Sequence, residues 1–182
     1  MKFVKPQVSI IITYYKKKDF IKRTLKSIFS QTYKNFEVIV ADDGSSKETK
    51  ELAYSYKNKL KINHVWHADE GFRAAKIRNE AVKISSGKYL VFIDGDCITY
   101  NDFIKNHRKI SEYGYFARGN RAMLSHSFSK HIINSDQDIN LISNIEILKL
   151  RFFKDINRIL PTIRITNLPF RKIFKLLIKY CR

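Results

Sequence analysis

Two cysteines, three prolines and six glycines among 182 residues exclude several kinds of protein at the outset. Cys97 and Cys181 stand far apart, so neither a disulfide framework nor a zinc cluster can be assembled from them. The shortage of Gly and Pro excludes collagen-like and low-complexity chains and leaves no linker rich in Gly, Ser or Pro. No apolar run approaches the roughly 18 residues a membrane-spanning helix needs. The opening MKFVKPQVSIIITYYKKK has an apolar stretch too short for a signal-peptide core and no small-residue cleavage site. These absences predict a chain that does not cross a bilayer and sits in a reducing, cytosolic setting.

Acids are also scarce. Thirty-five Lys and Arg face 17 Asp and Glu, a net charge of +18, which predicts attraction to an anionic partner such as nucleic acid, a lipid surface or a phosphorylated substrate. The excess is uneven: from Lys149 to Arg182 ten basic residues face a single acid, Asp155. With 44% hydrophobic and 29% charged residues, the chain is globular and long enough to bury one sizeable core, near the one-domain range of about 100 to 200 residues.

The apolar pattern alternates between two periods. Val8 to Ile12 is a β-branched run ending at Thr13, as expected of a strand covered on both faces in a parallel sheet. From Asp19, read as a helix N-cap, Phe20, Ile21, Leu25, Ile28 and Phe29 recur at helical spacing. Phe36 to Ala41 reads as a second strand. Ser45 to about Tyr56 reads as a helix with Ser45 and Glu48 placed for a capping box. Ile62 to Trp66 is a third strand, Arg73 to Ile84 a helix stopped by Ser85, Ser86 and Gly87, and Tyr89 to Ile93 a fourth strand at whose end Asp94 stands. Strand and helix in this order predict an α/β layer with a mostly parallel sheet and right-handed crossovers. Beyond Asp94 the spacing predicts a helix over Asp102 to Ile110, short strands at Tyr115 to Ala117 and Ala122 to Leu124, helix from Ile139 onward, and a bend between helices around Pro161 to Pro169.

Ligands of open α/β sheets bind beyond the carboxyl ends of the strands. Four acids gather at two of those ends: Asp42 and Asp43 after the second strand, Asp94 and Asp96 after the fourth. In DGDC two carboxylates separated by one small residue can point at one spot, and a divalent cation would relieve their repulsion. Mg²⁺ or Mn²⁺ prefers oxygen ligands and keeps positions open for substrate phosphates. A bare Asp-Gly-Asp is more commonly an ordinary strand-ending turn, and its position at the end of a buried strand is what favours the metal reading. Asp42 and Asp43 stand between a turn-and-cap role and acceptance of hydrogen bonds from a nucleobase N–H or a ribose hydroxyl. In EGFRAAKIRN, Arg73, Lys76 and Arg78 lie near a helix start, where cations and backbone N–H groups can meet phosphates, though such residues on a surface helix are often simply solvated. The five histidines show no metal spacing and read as ordinary residues, with His126 kept as a possible extra ligand. Cys97 reads as a small packed residue, and there is no nucleophile elbow or P-loop.

Taken together, VSIIITYY, SIFSQTYKNFEVIVADDGS, GFRAAKIRNEAV and GKYLVFIDGDC resemble the nucleotide-sugar-binding half of family 2 glycosyltransferases with the GT-A fold, over about Gln7 to Leu124. GFRAAKIRN with DGDC looks like the bacterial branch that makes lipopolysaccharide or capsule sugars, related to galactosyltransferase-like enzymes. The resemblance implies a Rossmann-like domain over residues 1–130, followed by a helical basic tail over 131–182 in the place of the acceptor region. It places Thr13, Tyr15 and Asp43, with Asp42 beside them, at the nucleobase and ribose. Arg73, Lys76 and Arg78 fall near the nucleotide and its phosphates, and Asp94 and Asp96 match an Asp-x-Asp motif that holds Mn²⁺ or Mg²⁺. The implied activity is metal-dependent, inverting transfer from a UDP-sugar to a glycan or lipid-linked acceptor in cell-surface polysaccharide synthesis.

Two departures stand out. Lys16 occupies a position where the family often has Asn. The Gly- and Trp-rich segment with Glu-Asp that supplies the family's catalytic base has no counterpart here, so the sequence names no base and the chain reads as a shortened transferase. Residues 170–182 place Phe170, Ile173, Phe174 and Leu177 on one helical face and Arg171, Lys175, Lys179 and Arg182 on another. Such a helix can rest on an anionic membrane surface, at the inner face of the plasma membrane, or pack against further protein. A donor-binding remnant without turnover and a basic nucleic-acid-binding module are the competing readings. The second has charge in its favour but no recognition motif, and it gives no reason for acids at strand ends, so no nucleic-acid partner is expected.

Overall fold

A computed structural model of the chain describes residues 6–135 and 138–157. The predicted bend around residues 161–169 and the amphipathic segment 170–182 lie outside the described residues. The chain divides into two compact units, one running to Ala117 and including Ile133–Leu141, the other formed by Arg118–Ile132 and the residues from Ile142 onward.

The first unit carries the predicted alternation. Strands β1 (Val8–Tyr14), β2 (Phe36–Asp42), β3 (Ile62–Trp66) and β4 (Tyr89–Asp94) alternate with helices α1 (Lys18–Phe29), α2 (Lys47–Ser55) and α3 (Ala74–Ile84), and α4 (Phe103–Ile110) follows. The strands form a four-stranded sheet in the order β3-β2-β1-β4, with all three pairings parallel. Continuous β-branched runs suit such a sheet because both faces are covered. Ile10 and Ile12 of β1 and Val38 and Val40 of β2 pack with Ile21, Leu25 and Ile28 of α1, Ala53 of α2 and Ile104 of α4. On the opposite face Ile11, Ile39 and Ala41 meet Ile77 and Ala81 of α3. Each fully buried isoleucine contributes roughly 1.5–3 kcal/mol through burial. The small Ala81 lets α3 approach the sheet closely.

The order places β1 at the reversal of the winding, between β2 on one side and β4 on the other. The chain winds from β1 through β2 to β3 with α1 and α2 on one face, then returns across the other face by α3 to β4 on the far side of β1; ligands of such sheets bind in the crevice beyond the strand ends where the order reverses. Thr13 and Asp94 are direct register partners across this point.

Several local expectations are corrected. Asp19 lies in the first turn of α1, whose N-cap position is Lys17. The N-cap of α2 is Ser46, without a side-chain cap bond, so the predicted Ser45–Glu48 box does not form. Ser45 is occupied elsewhere: its N–H donates to Asp42 Oδ1 at 2.8 Å and its Oγ accepts from Lys16 N–H at 2.8 Å. Gly87 is less a left-handed helix stop than a point of contact. A Cβ there would stand 2.5 Å from Ser9 N, which only glycine avoids. β4 is an edge strand among the described residues, with only Val91 buried and Phe92 half exposed, so Asp94 ends a partly covered strand rather than an enclosed one.

Further along the chain α6 (Asn144–Phe152), in the second unit, begins with a capping box between Ser143 and Glu146, later than the helix expected from Ile139, where a short 3₁₀ turn (Ile139–Leu141) belonging to the first unit stands instead. Helix α5 (His126–Ser135) was not anticipated. The predicted strand at Tyr115–Ala117 is irregular, and Ala122–Leu124 contributes one antiparallel bridge, Leu124 to Ile156. Ser125 Oγ donates to Asp155 Oδ1 at 2.5 Å beside that bridge.

Candidate functional site

At the carboxyl ends of β1 and β4 one arginine spans the two strands. Arg78 lies on the second turn of α3, and its Nε donates to Thr13 Oγ1 at 2.7 Å while its terminal nitrogen lies 3.2 Å from Asp94 Oδ1. A guanidinium is suited to this because its fork of donors is planar and permanently charged. Beyond Asp94 the backbone turns sharply. Gly95 N–H donates to Thr13 O at 2.7 Å, and a side chain at Gly95 would press on Tyr14 and Thr13 at about 3 Å.

Asp94, Asp96 and Cys97 follow this turn, and each offers one ligand atom such that all three lie within 4.8 Å of one another. That separation is one a single cation can span. Two hard carboxylate oxygens suit Mn²⁺ or Mg²⁺, and the thiol is the softer third donor, so the donor set fits a divalent ion. Cys97 is half-buried, its Sγ 3.8 Å from Asp96 Oδ1. Among the described residues no Lys, Arg or His pairs with Asp96.

A second cluster sits at the end of β2. Asp42 is fully enclosed. Its Oδ1 accepts from Ser45 N–H and its Oδ2 lies 3.0 Å from His64 Nε2. Asp43 is nearly as buried, with Oδ1 2.5 Å from His67 Nε2 and Oδ2 accepting from Arg73 N–H at 3.0 Å. Its own N–H donates to Tyr14 O at 2.9 Å. Gly44 must be glycine: its φ is +94°, and a Cβ would lie 2.6 Å from the Asp69 backbone.

The segment after β3 closes against this cluster. Tyr15 Oη donates to Asp69 Oδ2 at 3.1 Å and Lys16 Nζ to the same oxygen at 2.5 Å. These hydrogen bonds hold the Lys16 ammonium above its ordinary pKa and the Asp69 carboxyl below its own. Lys16 has a positive φ of 50°, a left-handed conformation that Asn adopts more readily than Lys. Arg73 turns back onto this segment, pairing with Glu70 Oε2 at 2.5 Å and donating to Ala68 O.

The structure therefore gathers Thr13, Arg78, Asp94 and Asp96 at the β1–β4 crevice and Asp42, Asp43, Tyr15 and Arg73 at the end of β2. Lys76 stands apart, exposed on α3. Sequence reasoning passed over His64 and His67. The signal that could have found them is strand register: Asp42 faces Trp66 across the β2–β3 pair, so histidines on either side of Trp66 fall beside the tandem aspartates. His126 opens α5 in the second unit.

Residues 9–115 match the family model described as Glycosyl transferase family 2. An uncharacterized glycosyltransferase of Rickettsia conorii is 35% identical over 128 residues, covering 70% of this chain and 20% of the relative. The UDP-Glc:alpha-D-GlcNAc-diphosphoundecaprenol beta-1,3-glucosyltransferase WfaP of Escherichia coli is 34% identical over 137 residues, covering 73% of this chain and 53% of WfaP. Among solved structures, S. aureus TarS 1-349 in complex with UDP-GlcNAc superimposes with a TM-score of 0.53 at 20% identity, covering 84% of this chain and 54% of that one. A mannosyltransferase of Pyrobaculum calidifontis in complex with GDP-Man and Mn2+ gives a TM-score of 0.51 at 24% identity, covering 59% and 32%. At these identities the superpositions establish the GT-A-type fold. The chain spans between about a fifth and a half of the length of these relatives. With the family match covering more than half of its residues, on a sheet whose site lies at the β1–β4 reversal, the chain belongs to glycosyl transferase family 2.

Proposed function

We propose that this chain binds a UDP-sugar at the β1–β4 crevice together with Mn²⁺ or Mg²⁺, as the donor-binding part of an inverting glycosyltransferase of cell-surface polysaccharide synthesis. One observation carries the reading: Arg78 spans Thr13 and Asp94 at the winding reversal, while Asp94, Asp96 and Cys97 converge within 4.8 Å beside it. TarS in its complex with UDP-GlcNAc and the Pyrobaculum enzyme with GDP-Man and Mn2+ share this fold, which supports a nucleotide-sugar as the ligand class.

In this reading Asp43 and Tyr15 receive the nucleobase and ribose, with Thr13 at the floor of the crevice and Asp42 behind. Arg78 offsets charge on the diphosphate; Arg73 and Lys76, which lie outside the β1–β4 cluster, act on it at longer range through their charge. Asp94 and Asp96 would hold the cation, with Cys97 as a neighbouring donor. A divalent ion bound there supplies Lewis-acid offset for the charge that develops on the departing nucleoside diphosphate. The Arg78 guanidinium adds fixed positive charge where that diphosphate leaves, which favours the transition state because the donor is already oriented by Thr13 and Asp94. Inverting transfer further needs a base for the acceptor hydroxyl, and we assign none to the residues present. The acceptor is a glycan or a lipid-linked sugar, WfaP being named for a diphosphoundecaprenol substrate. Residues 170–182 would bring the basic end of the chain to an anionic membrane surface on the cytoplasmic side. Residues 1–130 then serve the donor and 131–182 form the basic tail.

The test is calorimetric titration of UDP into the chain with and without Mn²⁺, in parent and Asp96→Ala forms. Metal-dependent binding in the parent that is lost in the variant is expected. Equal binding in both, or oligonucleotide binding indifferent to UDP and Mn²⁺ in place of UDP binding, would overturn the assignment.

A further inference from the structure

The imidazole of His67 is arranged in a way that its own hydrogen bonding does not explain. It follows β3, and Nε2 reaches 2.5 Å from Asp43 Oδ1. A carboxylate accepts only, so the nitrogen facing it carries a proton. The other ring nitrogen, Nδ1, is buried without a protein hydrogen-bond partner, one of two such side-chain atoms among the described residues; the second is Arg73 Nε. Both belong to residues that bind Asp43, Arg73 through its backbone N–H. Buried polar atoms are nearly always paired. Two orphans flanking one carboxylate mark a place where side chains are oriented for the carboxylate rather than for their own hydrogen bonds.

The clamp on Asp43 is three-sided. His67 holds Oδ1 from the end of β3, Arg73 N–H holds Oδ2 from the start of α3, and the Asp43 N–H is tied to Tyr14 O at the end of β1. The two backbone contacts follow from the fold. The His67 contact is the one that a side chain contributes, and it fixes rotation of the carboxylate about its Cβ–Cγ bond. A carboxylate held this way presents its remaining lone pairs in one direction, which is what discrimination between a nucleobase N–H and a nucleobase acceptor requires.

We infer that His67 is a positioning residue for donor recognition: by donating from Nε2 to Asp43 it orients that carboxylate so that it accepts from the base of a uridine nucleotide and rejects a base presenting an acceptor there. The inference rests on the assignment of Asp43 to the nucleobase given above. Glu80 of α3 interacts electrostatically with His67, while Arg73 reaches Asp43 Oδ2 through its backbone N–H and pairs its guanidinium with Glu70; none of these groups makes the contact to Asp43 Oδ1.

The experiment compares parent, His67→Phe, His67→Gln, His67→Asn and Asp43→Ala, each titrated with UDP and with CDP in the presence of Mn²⁺, with circular-dichroism melts to establish folding. Phe keeps the ring and removes the donor, Gln restores an N–H at similar reach, and Asn carries one too short to reach. Loss of about tenfold in UDP affinity is expected for Phe, the scale of one charge-assisted hydrogen bond, with a narrowed UDP-to-CDP ratio. Gln should return to within about threefold of the parent while Asn behaves as Phe does; if Phe does not fold, the Gln and Asn pair carries the same comparison. A merely structural His67 would lower the melting temperature without moving the base ratio, and that result overturns the inference. Unchanged UDP affinity in the donor-lacking variants alongside loss in Asp43→Ala overturns it while leaving the assignment of Asp43 intact. Parent-like binding in Asp43→Ala defeats both.

Discussion

Glu37 offers the sharpest test of how the sheet and α3 are held in register. It lies on β2 near the end of the sheet opposite the crevice and is 1% exposed. Its Oε1 accepts from Ser9 Oγ at 2.6 Å, from Ser86 N–H at 2.6 Å and from Ser86 Oγ at 2.8 Å, and Lys61 Nζ stands 3.2 Å from Oε2. Ser9 Oγ in turn accepts from Gly87 N–H at 2.8 Å. This staple joins β1 and β2 to the α3–β4 connection, and so fixes where α3 carries Arg78 and where β4 carries Asp94. Burial pushes the Glu37 carboxyl up, and the bonds from Ser9, Ser86 and Lys61 outweigh it, leaving the pKa below the usual glutamate value. In Glu37→Gln the shape is retained and the charge removed. A hydrogen bond to a charged acceptor contributes about 1 kcal/mol more than one to a neutral acceptor, so three bonds weaken by about 2–3 kcal/mol in total. Half-exposed Lys61 adds less than about 1 kcal/mol. Glu37→Ala also strips the acceptor from Ser86 N–H, for a loss of about 3–5 kcal/mol. Because the folded pKa is depressed, the ionised contribution is complete above the unfolded value of roughly 4.3 and is lost as pH falls through the folded one. Urea denaturation at pH 7 should therefore separate parent from Gln by the stated amount, and the gap should shrink below about pH 4. A Gln variant as stable as the parent at pH 7, or a gap that does not change with acid, would refute the staple.

Three further predictions concern the site and its supports. Gly44→Ala, at a φ of +94° with Asp69 backbone 2.6 Å from the new Cβ, should lower the melting temperature by about 2–12 °C, since such strain costs about 1–3 kcal/mol and a chain of this size loses roughly 2–4 °C per kcal/mol; an unchanged melt would show that the Asp69 segment gives way freely. Gln31→Leu should lose about 2–4 kcal/mol by urea denaturation, because the buried amide donates to Ser27 O, Thr99 Oγ1 and Tyr100 O and accepts from Ile104 N–H. Arg78→Met should leave Mn²⁺ affinity equal or raised, since a cation beside Asp94 is removed, while weakening UDP in the presence of Mn²⁺ by about tenfold or more; calorimetry with the metal alone and with both ligands separates the two effects.

The sheet was legible because each strand is a β-branched run whose period differs from that of the helix after it. Val8–Ile12 and Phe36–Ala41 can be covered on both faces only in a parallel layer, and that is where they lie. Cap positions were not legible to the residue. Ser45 and Ser46 are chemically equivalent caps, and what decides between them is Lys16 N–H, beyond the end of β1, and Asp42, at the end of β2, which both engage Ser45. Helix α5 was missed because HSFSKHIIN buries only Ile132, leaving no apolar stripe to read. The acids at the strand ends were legible as a pattern, but the histidine partners of Asp42 and Asp43 come from β3 and the residue just after it, and register between strands is set by tertiary packing that no local spacing reveals.

Those partners alter the electrostatic argument for the acids. Taken as a list, Asp42, Asp43, Asp94 and Asp96 look like four mutually repelling charges that require a cation. In the fold, Asp42 and Asp43 are engaged by His64, His67 and backbone N–H groups, and Asp94 faces Arg78. The need for an external charge is thereby concentrated on Asp96, which is exposed and has no Lys, Arg or His partner among the described residues. A carboxylate on the surface is stable without a cation, since water screens it. Metal binding here is accordingly not a condition of folding: with divalent ions removed by a chelator the chain should still unfold in urea as one cooperative transition, its midpoint lower than in Mn²⁺ only by what binding to the native site adds. The same treatment should abolish UDP binding, because without the ion Asp96 would meet the diphosphate as one anion meets another. Loss of the cooperative transition on chelation would mean that the ion is structural, and that Asp94 and Asp96 serve the fold rather than the donor.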